Sequence, residues 1–114
     1  WVYERLTKYN PNNPRYFAGL SLVYKKNGKL KESTEALKAI LRIQSDARSI
    51  EQGWTESQKT IVLLLENILG VKESSPDYRL ALYNLYIEMA NEEKDPIKSQ
   101  LYKEKSEEYR VRNQ

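Results

Sequence analysis

A glycine at residue 28 separates two stretches of helical periodicity, and this interruption constrains the fold more than any other feature. Before it, large side chains recur at steps of three, three and one: Phe17, Leu20, Val23 and Tyr24. After it, the spacing resumes: Leu30, Ser33, Ala36, Leu37, Ile40 and Leu41. This period indicates a helix on each side. No strand-like alternation flanks the Asn27-Gly28 pair, so a β-hairpin is not expected there. The sequence predicts two antiparallel helices that reverse at Gly28.

Gly28 is placed where the first of these helices must end. Glycine adopts the left-handed backbone conformation that ends many helices, because it has no Cβ to clash. The Gly28-Lys29 pair also resembles a fragment of a phosphate-binding loop. Such a loop follows a strand and directs several amide groups at one point, and no strand-like segment precedes Gly28. We therefore predict a left-handed turn here.

Proline and asparagine predict the boundaries upstream. Trp1–Tyr9 has the pattern of the end of a helix, and the prolines of Asn10–Pro14 stop it. Asn13 is expected to cap the following helix, with Pro14 in its first turn, where no amide donor is needed. Because the chain opens inside an apparent helix, we expect it to be a fragment of a longer protein.

The middle of the chain is less regular. Gln44–Trp54 has a weak pattern, in which Gly53 is expected to limit a short helix. Thr55 and Gln58 form a capping box, which predicts that the next helix begins there and continues to Leu69.

Two further helices are expected after the polar link that follows Gly70. Tyr78–Ala90 is apolar on two sides, as in a helix packed between neighbours. Asp95 is predicted to cap the last helix, which starts at Pro96. That helix has a thin stripe of residues expected to pack: Ile97, Leu101, Tyr102, Ser106 and Tyr109. A mostly polar outer face suits the terminal helix of a stack.

Composition excludes several classes of site. The 114 residues include no cysteine and no histidine, which rules out disulfide scaffolds, thiolate zinc sites, cysteine nucleophiles and histidine bases. Adjacent carboxylates such as Glu92-Glu93 and Glu107-Glu108 diverge by about 100° on a helix, so they do not converge on one substrate atom. The apolar run Ile61–Leu65 is far shorter than the ~20 residues of a membrane span. We expect a protein that is not an enzyme, with no cofactor and no metal.

The charge is unevenly distributed along the chain. Up to Arg48 there are 10 basic and 4 acidic residues, a balance of +6, and beyond it 9 basic and 12 acidic residues give −3. Such asymmetry is compatible with an anionic partner or with a lysine-rich solvated surface. Nucleic-acid binding through the basic N-terminal half is therefore an alternative function. The nine tyrosines could stack on bases, but Tyr24, Tyr83 and Tyr86 lie in stripes typical of a core.

The segment from Lys8 to Ile43, KYNPNNPRYFAGLSLVYKKNGKLKESTEALKAILRI, resembles the tetratricopeptide repeat (TPR) family. The family pattern places an aromatic residue, a leucine with a small residue, a tyrosine, a glycine and then small residues on the second helix. The matching positions are Phe17, Leu20, Ser21, Tyr24, Gly28, Ser33, Ile40 and Leu41. The resemblance implies one full repeat at 14–45, preceded by the end of a truncated repeat at 1–13. It continues as a degenerate repeat and capping helix at 55–112, where Ser99 and Ser106 match the small positions.

The resemblance also implies an architecture and a function. It implies an all-α single domain, with about six or seven antiparallel helices stacked as a right-handed α-solenoid. Members of the family usually bind proteins or peptides in a groove lined by the first helix of each pair. Here the corresponding residues are Arg15, Ala18, Leu22, Lys25 and Lys26. The family's carboxylate clamp is not expected, because Gly19 and Leu22 replace its asparagines. The resemblance thus implies a partner protein or peptide. The charges of Arg15, Lys25 and Lys26 favour an acidic sequence in that partner, and self-association is compatible with a short stack. The remaining alternative is a purely structural helical segment of a larger protein.

Overall fold

The structure is a computed structural model that describes residues 2–9, 13–46 and 51–110, and its regular structure in these ranges is entirely helical. In chain order the helices are α1 (Val2–Tyr9), α2 (Pro14–Lys26), α3 (Leu30–Asp46), α4 (Glu51–Leu69), α5 (Asp77–Glu92) and α6 (Pro96–Glu108). The all-α fold class is thus confirmed. The link at 10–12 and part of the weak region, 47–50, lie outside the described residues.

The chain divides into two compact units at the polar link after α4. The first unit comprises Trp1–Gly70 and the second comprises Val71–Gln114. In the first unit, α2 packs against α1, α3 and α4, and α3 also packs against α4. In the second unit, α5 packs against α6.

The reversal between α2 and α3 has the geometry that the sequence predicts. Gly28 has a φ of 75°, in the left-handed region. The amide of Lys29 donates to the carbonyl of Tyr24 at 2.8 Å, and the amide of Gly28 donates to that of Lys25 at 3.0 Å. This pair of bonds is a Schellman motif, which satisfies carbonyls that the end of a helix otherwise leaves without a donor. At the other end of α2, the Asn13 side chain accepts a hydrogen bond from the amide of Arg15, as predicted for a cap.

Two serines lie at the contact between α2 and α3. Ser21 and Ser33 are fully buried. The Ser21 hydroxyl donates to the carbonyl of Ser33 at 2.8 Å, and the Ser33 hydroxyl donates to that of Ser21 at 2.7 Å. Their hydroxyl oxygens are 3.0 Å apart. Because both side chains are small, the helices approach closely while every buried hydroxyl keeps a partner.

Large apolar residues of α3 and α4 form the core of the first unit. The fully or almost fully buried ones are Leu37, Ile40, Leu41, Ile61, Leu64 and Leu65. The Gln44 amide group donates to the side-chain oxygen of Gln58 at 3.1 Å, which joins the two helices beside this core.

The start of α4 differs from the sequence prediction. The helix begins at Glu51 and contains Gly53, whereas the capping box predicted a start at Thr55. A glycine inside a helix costs only about 1 kcal/mol relative to alanine. Propagation of a 19-residue helix that packs on two neighbours overcomes that cost.

In the second unit, α6 starts as predicted and packs differently from the prediction in one place. The Asp95 carboxylate accepts a hydrogen bond from the amide of Ile97 at 2.9 Å, and Pro96 is the first helical residue. Tyr102 and Ser106 are buried, but Ile97 is 80% exposed, so its assignment to the packed stripe is wrong. Ile97 belongs to the first turn of α6, where 3.6-residue spacing continues beyond the surface that α5 covers.

Candidate interaction site

The residues that the sequence indicates for partner binding lie together on one face of α2. At 100° per residue they fall within an arc of roughly 100°. Ala18 is half-buried, and the other four are exposed: Arg15, Leu22, Lys25 and Lys26. We call these five residues the basic stripe.

The stripe combines positive charge with one apolar side chain. Leu22 is 37% exposed, so part of it contacts its own chain and part remains accessible. Lys25 and Lys26 lie in the last turn of α2, where a positive charge interacts favourably with the helix dipole. These two lysines therefore support helix stability whether or not they also contact a partner.

A cleft lies on the other side of α2, between that helix and α3. Its volume is about 350 Å³. The lining residues come from both helices: Phe17, Leu20, Tyr24, Lys31, Glu32, Glu35 and Ala36. The α2 residues of this α2–α3 cleft point roughly 160° away from the centre of the basic stripe. A compact ligand would therefore contact one surface or the other.

The floor of the cleft is apolar and its rim is charged. Leu20 and Ala36 are buried, whereas Phe17 and Tyr24 are half-buried. On the rim, the Glu35 carboxylate accepts a hydrogen bond from Lys38 at 3.2 Å, and the Lys38 side chain is only 3% exposed. Lys31 and Glu32 are both exposed, and their charges are opposite. The cleft is lined by one basic and two acidic side chains, and the buried Lys38 offsets one of the carboxylates, so the lining suits apolar groups more than groups of either charge.

The sequence indicated the basic stripe but not the cleft. Phe17, Leu20 and Tyr24 were assigned as structural repeat positions together with Ser33 and Ile40. Of these, Leu20, Ser33 and Ile40 are buried, but the two aromatic residues remain partly open to the cleft. The sequence does contain one signal for the cleft, the segment Lys31–Glu35. Because this segment has no apolar residue, the start of α3 does not cover the aromatic side chains.

The described residues contain no group of three or more acidic side chains that could hold a metal ion. Within the same ranges, no helix is both long and apolar enough to cross a bilayer.

Comparison with known proteins does not place the chain in a family. No protein-family model, no curated protein and no solved structure matches it.

Proposed function

We propose that the chain is a non-catalytic protein-interaction module in which α2 is the recognition helix. The TPR resemblance of residues 14–45 supports this function, because family members usually bind partners through the first helix of a repeat. We further propose that the helices stack as a right-handed TPR-like solenoid.

The main support for the proposal is that α2 is held in place by its own chain and presents an exposed surface with both basic and apolar side chains. The reciprocal bonds of Ser21 and Ser33 and the turn at Gly28 hold α2 on α3 before any partner arrives. A preformed surface loses less conformational entropy on binding than a flexible one does. Leu22 then supplies apolar contact in the centre of the stripe, and the cations on either side of it contact the partner's acidic groups.

The charges of the stripe are expected to select partners and to speed association. An exposed ion pair contributes on the order of 0–1 kcal/mol, so Arg15, Lys25 and Lys26 give modest affinity individually. Complementary charge has a larger effect on the association rate, particularly at low salt. We therefore expect a partner segment that carries acidic residues around an apolar anchor.

The α2–α3 cleft favours a second mode of protein binding. Its volume lies near the lower end of the range of roughly 300–1,000 Å³ for ligand pockets. A space of this size fits one or two apolar side chains of a partner. The partly open rings of Phe17 and Tyr24 would provide most of the contact area.

Affinity capture with the chain as bait, followed by quantitative mass spectrometry, tests the function and separates the two surfaces. The triple variant Arg15→Glu, Lys25→Glu, Lys26→Glu should release partners of the basic stripe. A matched control replaces three exposed lysines of the second unit, at positions 94, 98 and 103, with glutamate. This control should retain the partners of the basic stripe. Ala36→Leu reduces the cleft and should release only partners that insert a side chain there.

The salt dependence distinguishes a protein partner from a nucleic acid. Binding through phosphates loses affinity steeply, with a linear dependence on a log–log plot. Burial of apolar groups depends on salt much less. Capture of nucleic acid alone, lost with that steep slope, would favour the alternative function. If no binding depends on either surface, the proposed function is wrong and a structural role remains.

A further inference from the structure

The reversal between α2 and α3 is an exposed and strongly basic segment of the first unit. All eight residues from Lys25 to Glu32 are exposed. They include four lysines and one glutamate, a net charge of 4 − 1 = +3. We call Lys25, Lys26, Lys29, Leu30 and Lys31 the basic tip. None of its lysines takes part in an ion pair within the part of the chain that the structure describes.

Helix stability accounts for only two of these lysines. Lys25 and Lys26 end α2, where the helix dipole favours a positive charge. Lys29 immediately precedes α3 and Lys31 lies in its first turn, where the dipole disfavours a positive charge. Neither of them gains an acidic partner within the described residues in return. Their position is therefore unfavourable for the isolated fold and becomes favourable beside an external anion.

An exposed leucine lies among the four cations. Leu30 is 51% exposed between Lys29 and Lys31. The antiparallel order of α2, α3 and α4 brings the C-terminal end of α4 to the same end of the first unit, and Leu69 there is 41% exposed. Apolar side chains next to lysines are typical of surfaces that bind the interface of an anionic membrane.

We propose that the basic tip docks reversibly on the surface of an anionic phospholipid bilayer. The lysines would contact the headgroups, and Leu30 would enter the boundary between headgroups and acyl chains. A protruding turn offers too little area for a stable protein interface, which requires roughly 1,000 Å², whereas a bilayer imposes no matching shape. Single-stranded nucleic acid binding relies on aromatic stacking, and the tip contains no aromatic residue. The proposal goes beyond the proposed function, because Lys29 and Leu30 belong neither to the basic stripe nor to the α2–α3 cleft, although the tip shares Lys25 and Lys26 with the stripe and Lys31 with the cleft.

Vesicle co-sedimentation tests the proposal with defined probes. We would compare phosphatidylcholine vesicles with and without phosphatidylserine at about 0.1 M NaCl, where surface charges are screened beyond ~10 Å. The chain should bind only the phosphatidylserine vesicles. Each lysine near such a surface changes the partition coefficient about fivefold. Lys29→Glu with Lys31→Glu should therefore reduce binding by at least about 25-fold, and Leu30→Ser should reduce it several-fold.

A control variant with the same net charge separates the tip from general electrostatics. Lys98→Glu with Lys103→Glu reverses two exposed lysines of α6 and should bind almost as the parent does. Circular dichroism should show that all variants keep their helicity. The proposal is wrong if phosphatidylserine does not promote binding, or if the tip and control variants bind equally. It is also wrong if a DNA duplex or poly-glutamate competes with the vesicles and binds more tightly through Lys29 and Lys31. The partner-capture experiment is a separate test, because its triple variant leaves Lys29, Leu30 and Lys31 unchanged.

Discussion

The helix pairs α2–α3 and α5–α6 show two ways to fix antiparallel helices with small residues. The second helix of each pair contains two corresponding positions that are seven residues apart. They are Ser33 and Ile40 in α3, and Ser99 and Ser106 in α6. Ser33 exchanges hydrogen bonds with Ser21 across the pair. In α6, Ser99 donates to the carbonyl of Ala90 at 2.7 Å, whereas Ser106 donates within its own helix. Ser33 and Ser99 therefore each link the two helices of their pair, whereas the hydroxyl of Ser106 is bonded within its own helix.

The turns of the two pairs also differ. The first pair reverses through the left-handed Gly28. In the second pair, Glu93 follows α5 in an extended conformation with φ −77° and ψ 127°, and the Asp95 cap then starts α6. Asp95 and Pro96 thus take the place of a glycine turn. An antiparallel helix pair can therefore reverse without a glycine when a capped helix follows.

The second pair has an additional contact at its open end. The Tyr86 and Tyr109 rings stack, with centroids 5.8 Å apart and planes within 8° of parallel. The Arg79 guanidinium lies 5.8 Å from the centre of the Tyr109 ring and donates to the carbonyl of Glu108. This clasp of Arg79, Tyr86 and Tyr109 joins the start of α5 to the end of α6. The serine contact of the first pair therefore lies near its turn, whereas the clasp of the second pair lies at the end away from its turn.

Replacing Ser33 and Ser99, the corresponding serines of α3 and α6, with leucine should give the largest difference in stability between the two pairs. Ser33→Leu inserts bulk at a fully buried helix contact and should lower the free energy of unfolding by about 1–3 kcal/mol. Ser99→Leu, at a half-buried position, should cost less than half as much. Urea denaturation followed by circular dichroism measures both.

Alanine at residue 33 provides the control for bulk. Ser33→Ala removes one hydrogen bond without adding volume and should cost about 1 kcal/mol. If Ser33→Leu and Ser99→Leu destabilise equally, the contrast between a fully buried helix contact and a half-buried one is wrong.

Valine at residue 28 should have the next largest effect. A side chain at a φ of 75° is strained, and a β-branched one particularly so, which predicts a loss of about 1–2 kcal/mol. A Cβ at this position would meet no atom within 4 Å, so the loss comes from the backbone alone. Thermal denaturation should show a reduced Tm for Gly28→Val and a smaller reduction for Gly28→Asn, because asparagine tolerates the left-handed region. Equal Tm values for the parent and both variants would contradict this account.

The clasp of the second pair should contribute less. Arg79→Ala removes both the bond to Glu108 and the contact with the Tyr109 ring, and we expect a loss of about 1 kcal/mol at this exposed position. Arg79→Lys keeps the charge but not the planar group, so it should recover only part of the loss. Near-ultraviolet circular dichroism reports the tyrosine environment and urea denaturation the stability. An unchanged spectrum in Arg79→Ala would show that the stack does not depend on the cation.

Local signals in the sequence predicted the helix ends well. Asn13, Gly28 and Asp95 each act through atoms a few residues away, so the chain alone specifies the cap or turn that they form. The start of α4 was missed for the opposite reason. The helix continues through Gly53 as part of one 19-residue element that packs on α2 and α3, and the local sequence pattern contains no information about such packing.

The two surfaces of α2 were predicted only in part. Periodicity shows which residues of α2 share a face, and it groups the five residues of the basic stripe on that basis. It does not show how completely a neighbouring helix covers a face, which is why the opening beside Phe17 and Tyr24 was not predicted. The clasp was missed because Arg79 and Glu108 are 29 residues apart, and a helical pattern carries no information about such a pair.

The smallest predicted effect is a pH dependence from the clasp. Burial, followed by the neighbouring Glu108 carboxylate, raises the pKa of Tyr109 above the ordinary value of 10.0, although Arg79 opposes the shift. The unfolded chain therefore loses this proton at a lower pH than the folded chain does. The stabilisation is complete below about pH 10 and declines as the pH rises through the higher pKa of the folded state. Tyr109→Phe removes the titrating group, so the difference in unfolding free energy between parent and variant should change only above about pH 10. Urea midpoints measured across this range test the prediction, with Tyr9→Phe as a control for loss of a phenol elsewhere. A constant difference would mean that Tyr109 does not lie in the surroundings that the clasp provides.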